Sequence, residues 1–214
     1  HNTITKMPAS LLKIHPQNPE GRKIQQAIEI IKKGGLVIYP TDTIYGLGCD
    51  ITNNKAVERI CRIKGIKSQK ANFSFICADL SNISHYTKPF SSAVYKVMRK
   101  NLPGPFTFIL DASTKVPKML KNNRKSVGIR VPNSPIVSAL VEKLDYPIMS
   151  TSLKNNEDPI IPHPTDPFEI YEQYKNSVDL IIDGGFGGNI PSAVIDCTKN
   201  QINLIREGEE ALLF

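Results

Sequence analysis

The chain contains no tryptophan, no run near the roughly 18 consecutive apolar residues of a membrane-spanning helix, and no pair of cysteines at CxxC spacing. Cys49, Cys61, Cys77 and Cys197 sit singly in apolar or mixed segments, which argues against zinc or a redox pair and for buried free thiols in a reducing compartment. The four histidines, His1, His15, His85 and His163, form no HExxH and have no acidic partner at ligand spacing, so no metal site is assigned. GxxxxGK[ST] does not occur, so any use of ATP would not be that of a P-loop protein. The run Gly184–Gly188 fails as a dinucleotide motif because the sixth position counted from Gly185 is Ile190 and no helix follows; it reads as a flexible turn. Residues His1–Pro8 lack the apolar core of a signal peptide, and residues 1–13 read as an N-terminal extension or tag remnant. A soluble, cytoplasmic, globular protein is expected.

What is present supports one domain. The 214 residues are 40% apolar, enough to bury about 70% of the unfolded surface without a disulfide or metal staple, and a single domain over 14–208 is expected. Charge is unevenly spread. Residues 1–131 carry 22 basic against 7 acidic side chains, a balance of +15, while residues 132–214 carry 5 against 13, a balance of −8. Basic clusters lie around Arg59–Lys70, Lys96–Lys100 and Lys115–Arg130. Three in the same half favour an anionic ligand, nucleotide or nucleic acid, over a merely solvated surface.

Helix and strand signals alternate. Ile24, Ala27, Ile28 and Ile31 recur at helical spacing before Gly34-Gly35, and Lys55–Ile63 does so before Gly65. Ser91–Asn101 is a third helix, Ser134-Pro135 opens a fourth with serine as the N-cap, and a fifth lies near Phe168–Lys175. Strands are expected at Leu36–Tyr39, Phe73–Cys77, Phe106–Leu110, Ser126–Val131, Ile148–Ser152, Val178–Ile182, Ala193–Cys197 and Asn203–Ile205. Residues 154–167, polar and proline-rich, form a surface excursion. The class is α/β with a mixed or partly antiparallel sheet.

Four segments carry chemistry. In Tyr39–Gly48, Thr41, Asp42 and Thr43 follow a strand's carboxyl end, where ligands bind in open α/β sheets. Thr41 and Thr43 suit a small polar substrate and Tyr45 a ring beside it; a turn organised by Asp42 is the alternative. Lys64 ends a helix, where it either complements the dipole or reaches into a cleft toward an acyl or phosphate oxygen. Arg130 stands in an apolar strand and needs an anion, either a ligand phosphate or a carboxylate such as Asp42. Ser150-Thr151-Ser152 closes another apolar strand with hydroxyls, but without GxSxG or a suitably placed histidine it is no serine hydrolase.

Read together, GGLVIYPTDTIYGLG (34–48), RICRIKG (59–65), PGPFTFIL (103–110), VGIRVPNSP (127–135), MSTS (149–152), PSAVIDCT (191–198) and IREG (205–208) resemble the YrdC/YciO family of L-threonylcarbamoyladenylate synthases, and the YciO branch in particular. The resemblance implies a twisted, open mixed sheet flanked by helices around a large concave basic cavity. It also implies a nucleotidyltransferase reaction. L-Threonine, bicarbonate and ATP, with Mg²⁺ on the nucleotide, would give threonylcarbamoyl-AMP and pyrophosphate for tRNA modification. Thr41 and Tyr45 would then hold threonine, and Lys64 and Arg130 would be the catalytic cations. Lys67, Thr107, Ser150, Ser152, Ser192 and Arg206 would complete the substrate pocket. Ile66 stands where the synthases carry arginine, and Lys154 where they carry asparagine. A weak or substrate-altered synthase is expected. The alternatives are a double-stranded RNA- or tRNA-binding protein without that activity, or an adenylate-forming enzyme acting on another amine.

Overall fold

The computed structural model describes residues 6–154 and 160–214. The start of the expected N-terminal extension and the middle of the 154–167 excursion lie outside these residues. Among the described residues, ten strands and five α-helices begin in the order β1 (Ser10–Lys13), α1 (Gly21–Lys32), β2 (Val37–Tyr39), β3 (Gly46–Asp50), α2 (Asn54–Lys64), β4 (Ser74–Ile76), α3 (Ser92–Asn101) and β5 (Phe106–Asp111). There follow β6 (Ser126–Arg130), α4 (Pro135–Leu144), β7 (Ile148–Ser152), α5 (Pro167–Tyr174), β8 (Leu180–Asp183), β9 (Ala193–Asp196) and β10 (Asn203–Arg206). All ten strands join one mixed sheet in the order β1-β8-β2-β3-β7-β4-β6-β5-β9-β10.

Local chemistry sets the helix limits. Asn53 accepts a hydrogen bond from the Ala56 amide to start α2, and Gly65 ends it in the left-handed region at φ 64°. Ser91 caps α3 through the Val94 amide. Ser134 makes no such side-chain bond; Pro135, with its fixed φ and no N–H to satisfy, starts α4 instead.

The expected N-terminal extension is corrected: residues 10–13 are not an appendage, because β1 pairs in parallel with β8 and forms one edge of the sheet. In Tyr39–Gly48, where two glycines permit either close backbone approach or a positive φ, Gly46 and Gly48 serve the first. They belong to β3, which runs antiparallel between β2 and β7. A Cβ on Gly48 would stand 2.7 Å from the Met149 carbonyl and 2.8 Å from the Tyr39 hydroxyl, so close approach alone demands glycine there. At the other end, the segment beyond residue 208 packs back onto α3, where Asn101 exchanges hydrogen bonds with the Leu213 backbone.

Strand alternation divides the core. Ile38, Phe75, Phe106, Phe108, Ile129, Met149 and Ile181 face one cluster with residues of α2 and α3. Val37, Tyr39, Ile76, Ile148, Leu180 and Ile182 face the other with α1 and α4. On this second face Gly48, Ser150, Ser74, Gly128, Ile109 and Asp196 stand side by side in register across six strands. Glycine and serine fill four of these six positions, and small side chains leave space above the sheet.

Candidate active site

That space is a cavity of about 840 Å³. Its floor is the alternate residues of the central strands, among them Ser74, Thr107, Ser126, Arg130, Ser150 and Ser152. Its walls come from the loop before β3, the Gln69–Asn72 and Asn122–Arg124 segments, the end of the post-β7 excursion and β10.

Arg130 is the central charge. It is 8% exposed, and its Nη2 donates to Thr43 Oγ1 at 3.0 Å and meets Asp42 Oδ1 at 3.4 Å. A tight charge-assisted pair would close to about 2.7–2.9 Å. Asp42 also accepts from the Asn133 amide at 2.9 Å, and Arg130 Nε has no hydrogen-bond partner. Burial lowers the Arg130 pKa and Asp42 opposes that shift. The guanidinium therefore retains capacity for a second anion.

Hydroxyls surround it. The buried Tyr39 phenol, its pKa raised by desolvation, donates to Ser150 Oγ at 2.5 Å, which leaves the Ser150 proton free to serve a ligand. Thr107 Oγ1 and Ser192 Oγ lie 2.7 Å apart. Arg206, on β10, fastens to the Ser192 carbonyl through Nε at 3.1 Å and Nη2 at 2.7 Å. Desolvation lowers its pKa, and repulsion from Arg130 adds to the shift, so the two guanidiniums share one field.

Several expected contacts are placed differently. Thr41 is absent from the cavity wall: its Oγ1 accepts from the Thr43 amide at 3.0 Å and donates to the Ile44 carbonyl at 2.6 Å. The turn is thus organised by Thr41, which frees Asp42 for Arg130. Tyr45 lines the cavity, but its hydroxyl donates to the Gly185 carbonyl and accepts from the Gly184 amide. Burial pushes that phenol up to about 12. The Gly184–Gly188 run is accordingly held against the site rather than loose.

Lys64 is also displaced from the cavity wall. It is 7% exposed, and its Nζ donates to the Ser152 and Lys154 carbonyls, each at 2.6 Å, and to Ser152 Oγ at 3.2 Å. Desolvation brings its pKa down to about 8. Lys64 braces the exit of β7 from beneath. Lys67 is exposed outside the wall, whereas Lys70 lies in it. Ile66 packs against the hydrophobic core, and Lys154 donates from Nζ to the Ile161 carbonyl at 2.7 Å.

His163, Asn122, Arg124, Asp111 and Asp196, which no sequence motif singles out, also line the cavity. Asp196 is a lone carboxylate inside the expected strand Ala193–Cys197, and Asp111 directly follows the expected strand Phe106–Leu110, so both were legible. His163 was not, because the excursion that carries it has no periodicity. Among the described residues no three His, Cys, Asp or Glu side chains are grouped to hold a metal ion, and no helix is long and apolar enough to cross a membrane. The four cysteines are free and buried.

Comparison with known proteins places this geometry. Residues 29–208 match the Sua5/YciO/YrdC family model, described as telomere recombination. The crystal structure of Escherichia coli YciO superposes with a TM-score of 0.87 at 42% identity, covering 95% of this chain and 97% of that one. A threonylcarbamoyl-AMP synthase of Marinobacter nauticus is 30% identical over 187 residues, 86% of this chain and 96% of that one. Pyrococcus abyssi Sua5 in complex with L-threonine superposes with a TM-score of 0.84 at 29% identity, covering 94% of this chain and 58% of that one.

Proposed function

Because this chain belongs to the Sua5/YciO/YrdC family, which includes threonylcarbamoyl-AMP synthases, we propose that it forms threonylcarbamoyl-AMP from L-threonine, bicarbonate and ATP. The product would serve tRNA modification. The supporting observation is Arg130, a buried guanidinium whose carboxylate neighbour Asp42 is 3.4 Å away and whose Nε is unpaired, on the floor of a cavity shared with Arg206. The volume of about 840 Å³ lies toward the upper end of small-molecule sites and accommodates a nucleotide with an amino acid.

The chemistry needs charge and orientation, not a covalent nucleophile. Threonine nitrogen adds to bicarbonate and gives a carbamate with loss of water. A carbamate oxygen then attacks the α-phosphorus of ATP, and the bond to the pyrophosphate oxygen breaks. Arg130 and Arg206 oppose the negative charge that accumulates, in a partly desolvated space where such interactions are strong. Ser150, Ser152, Thr107 and Ser192 orient phosphate and acyl oxygens. Mg²⁺ would arrive with the triphosphate, and Asp111 and Asp196, which line the cavity, are the carboxylates that could meet it there.

Incubation with labelled bicarbonate, L-threonine, ATP and Mg²⁺ should yield acyl-adenylate and pyrophosphate above a no-enzyme control. The rate should be low. Ile66 contributes no guanidinium, and one missing contact of this kind costs about 2–4 kcal/mol, roughly a hundredfold or more. That same absence, with the basic clusters, favours a second reading as a double-stranded RNA- or tRNA-binding protein. No product, together with RNA binding that weakens steeply with salt, would select it.

A further inference from the structure

Among the described residues, two buried side-chain atoms lack any hydrogen-bond partner: Arg130 Nε and His163 Nδ1. Both side chains line the same cavity. An unsatisfied buried polar atom costs about 1–3 kcal/mol, so two of them beside one space point to what that space receives.

His163 is held in place rather than hanging from a free loop. Before it, Lys154 Nζ ties down the Ile161 carbonyl. After it, the Thr165 carbonyl accepts from the Gly187 amide at 2.9 Å, and Asp166 caps α5 through the Phe168 amide at 2.9 Å. Pro162 and Pro164 flank it and restrict the backbone. His163 as a residue is 9% exposed. Burial, then the charges of Lys154, Arg206 and Lys64, bring its pKa down to about 4, so it is neutral at pH 7. A neutral imidazole holds one N–H and one lone pair. Among cations, the N–H can serve a negatively charged oxygen without adding another charge to the site.

We propose that His163 is a substrate-binding residue of this cavity, its Nδ1–H donating to an oxyanion of the bound substrate, either the amino acid carboxylate or a nucleotide phosphate, beside Arg130. The inference rests on the cavity being the substrate site, and it adds a contact outside the motifs that carry the family resemblance.

The test uses the full chain labelled with ¹⁵N in histidine. It is titrated separately with L-threonine and with the Mg²⁺ complex of an ATP analogue that cannot be cleaved between the α- and β-phosphates. The ring resonances of His163 are assigned by their loss in His163→Asn. The expected result is a shift of Nδ1 with one ligand: threonine identifies a carboxylate, the analogue a phosphate. Calorimetry should then show that ligand bound about tenfold or more weakly by His163→Ala. His163→Asn, whose amide nitrogen takes the place of Nδ1, should recover most of the loss. Binding to the wild type without a shift of Nδ1 overturns the inference while leaving the substrate site intact, and the wild-type spectrum decides this even where His163→Ala does not fold. Failure of the wild type to bind either ligand overturns the reading of the cavity itself, and the inference with it.

Discussion

Arg130 shows why single side chains differ in how legible they are. A guanidinium in an otherwise apolar strand has to meet an anion wherever the strand lies, so its importance follows from sequence alone. Both partners foreseen for it remain relevant: Asp42 is there, but at 3.4 Å it leaves Nε unpaired. Lys64 and Thr41 were less readable because a lysine past a helix end and a threonine in a turn have many possible acceptors, and nearby carbonyls won. Two substitutions separate these roles. Arg130→Lys keeps the charge but loses the planar fork, and should lower kcat/KM for threonylcarbamoyl-AMP formation about a hundredfold while the fold persists. Lys64→Met removes a charged donor from two carbonyls and should lower unfolding stability by about 2 kcal/mol in denaturant titrations. A Lys64→Met protein with unchanged stability but abolished turnover would return Lys64 to the role of a direct substrate ligand.

The elements were largely readable from periodicity, since each expected helix and strand has a counterpart. Those that escaped have physical reasons. β1 is exposed, short and at an edge, with little alternation to detect. β3, with its sequence GLGCD, has two glycines in five residues and the composition of a turn. Only the packing explains it: Tyr39 from β2 lies across β3, and its hydroxyl reaches Ser150 on β7. Cross-strand register could not be read either, and register is what brings Gly48, Ser150, Ser74 and Gly128 into one row and opens the cavity. Gly48→Ala would put a Cβ against the Met149 carbonyl and the Tyr39 hydroxyl, and backbone cannot step aside as a flexible side chain does. Destabilisation of about 1–3 kcal/mol is expected in thermal or urea melts, along with reduced turnover as the Tyr39–Ser150 bond is displaced. A Gly48→Ala protein of native stability would show that β3 and β7 can separate without cost.

Across the whole molecule, the contrast between a basic first part and an acidic second part does not divide the sheet in two. β7 and β8, from the acidic part, lie among the earlier strands, and β9 and β10 extend the sheet beyond β5, so both parts contribute to one cavity. The buried ionisable groups give the molecule a defined pH range. His163 accepts a proton near 6.5 when unfolded but only near 4 when folded. As pH falls from 6.5 toward 4 the unfolded chain binds more protons, and stability declines. On the alkaline side, Cys49, Cys77 and Cys197 ionise near 9 when unfolded but are pushed by burial to about 12 when folded. As pH rises above 9 the unfolded chain sheds protons that the folded chain keeps, and stability declines again. Lys64 acts in the opposite sense, since its folded value of about 8 lies below 10.5, but it is one group against three thiols. Urea midpoints should therefore be highest between about pH 6.5 and 8.5 and fall toward both pH 4.5 and pH 10.5. Substituting His163 by asparagine should flatten the acid side and leave the alkaline side unchanged, because asparagine does not titrate. A midpoint that climbs steadily from pH 8.5 to 10.5 would mean that the thiols ionise inside the fold, and the packing assigned to Cys49, Cys77 and Cys197 would be wrong.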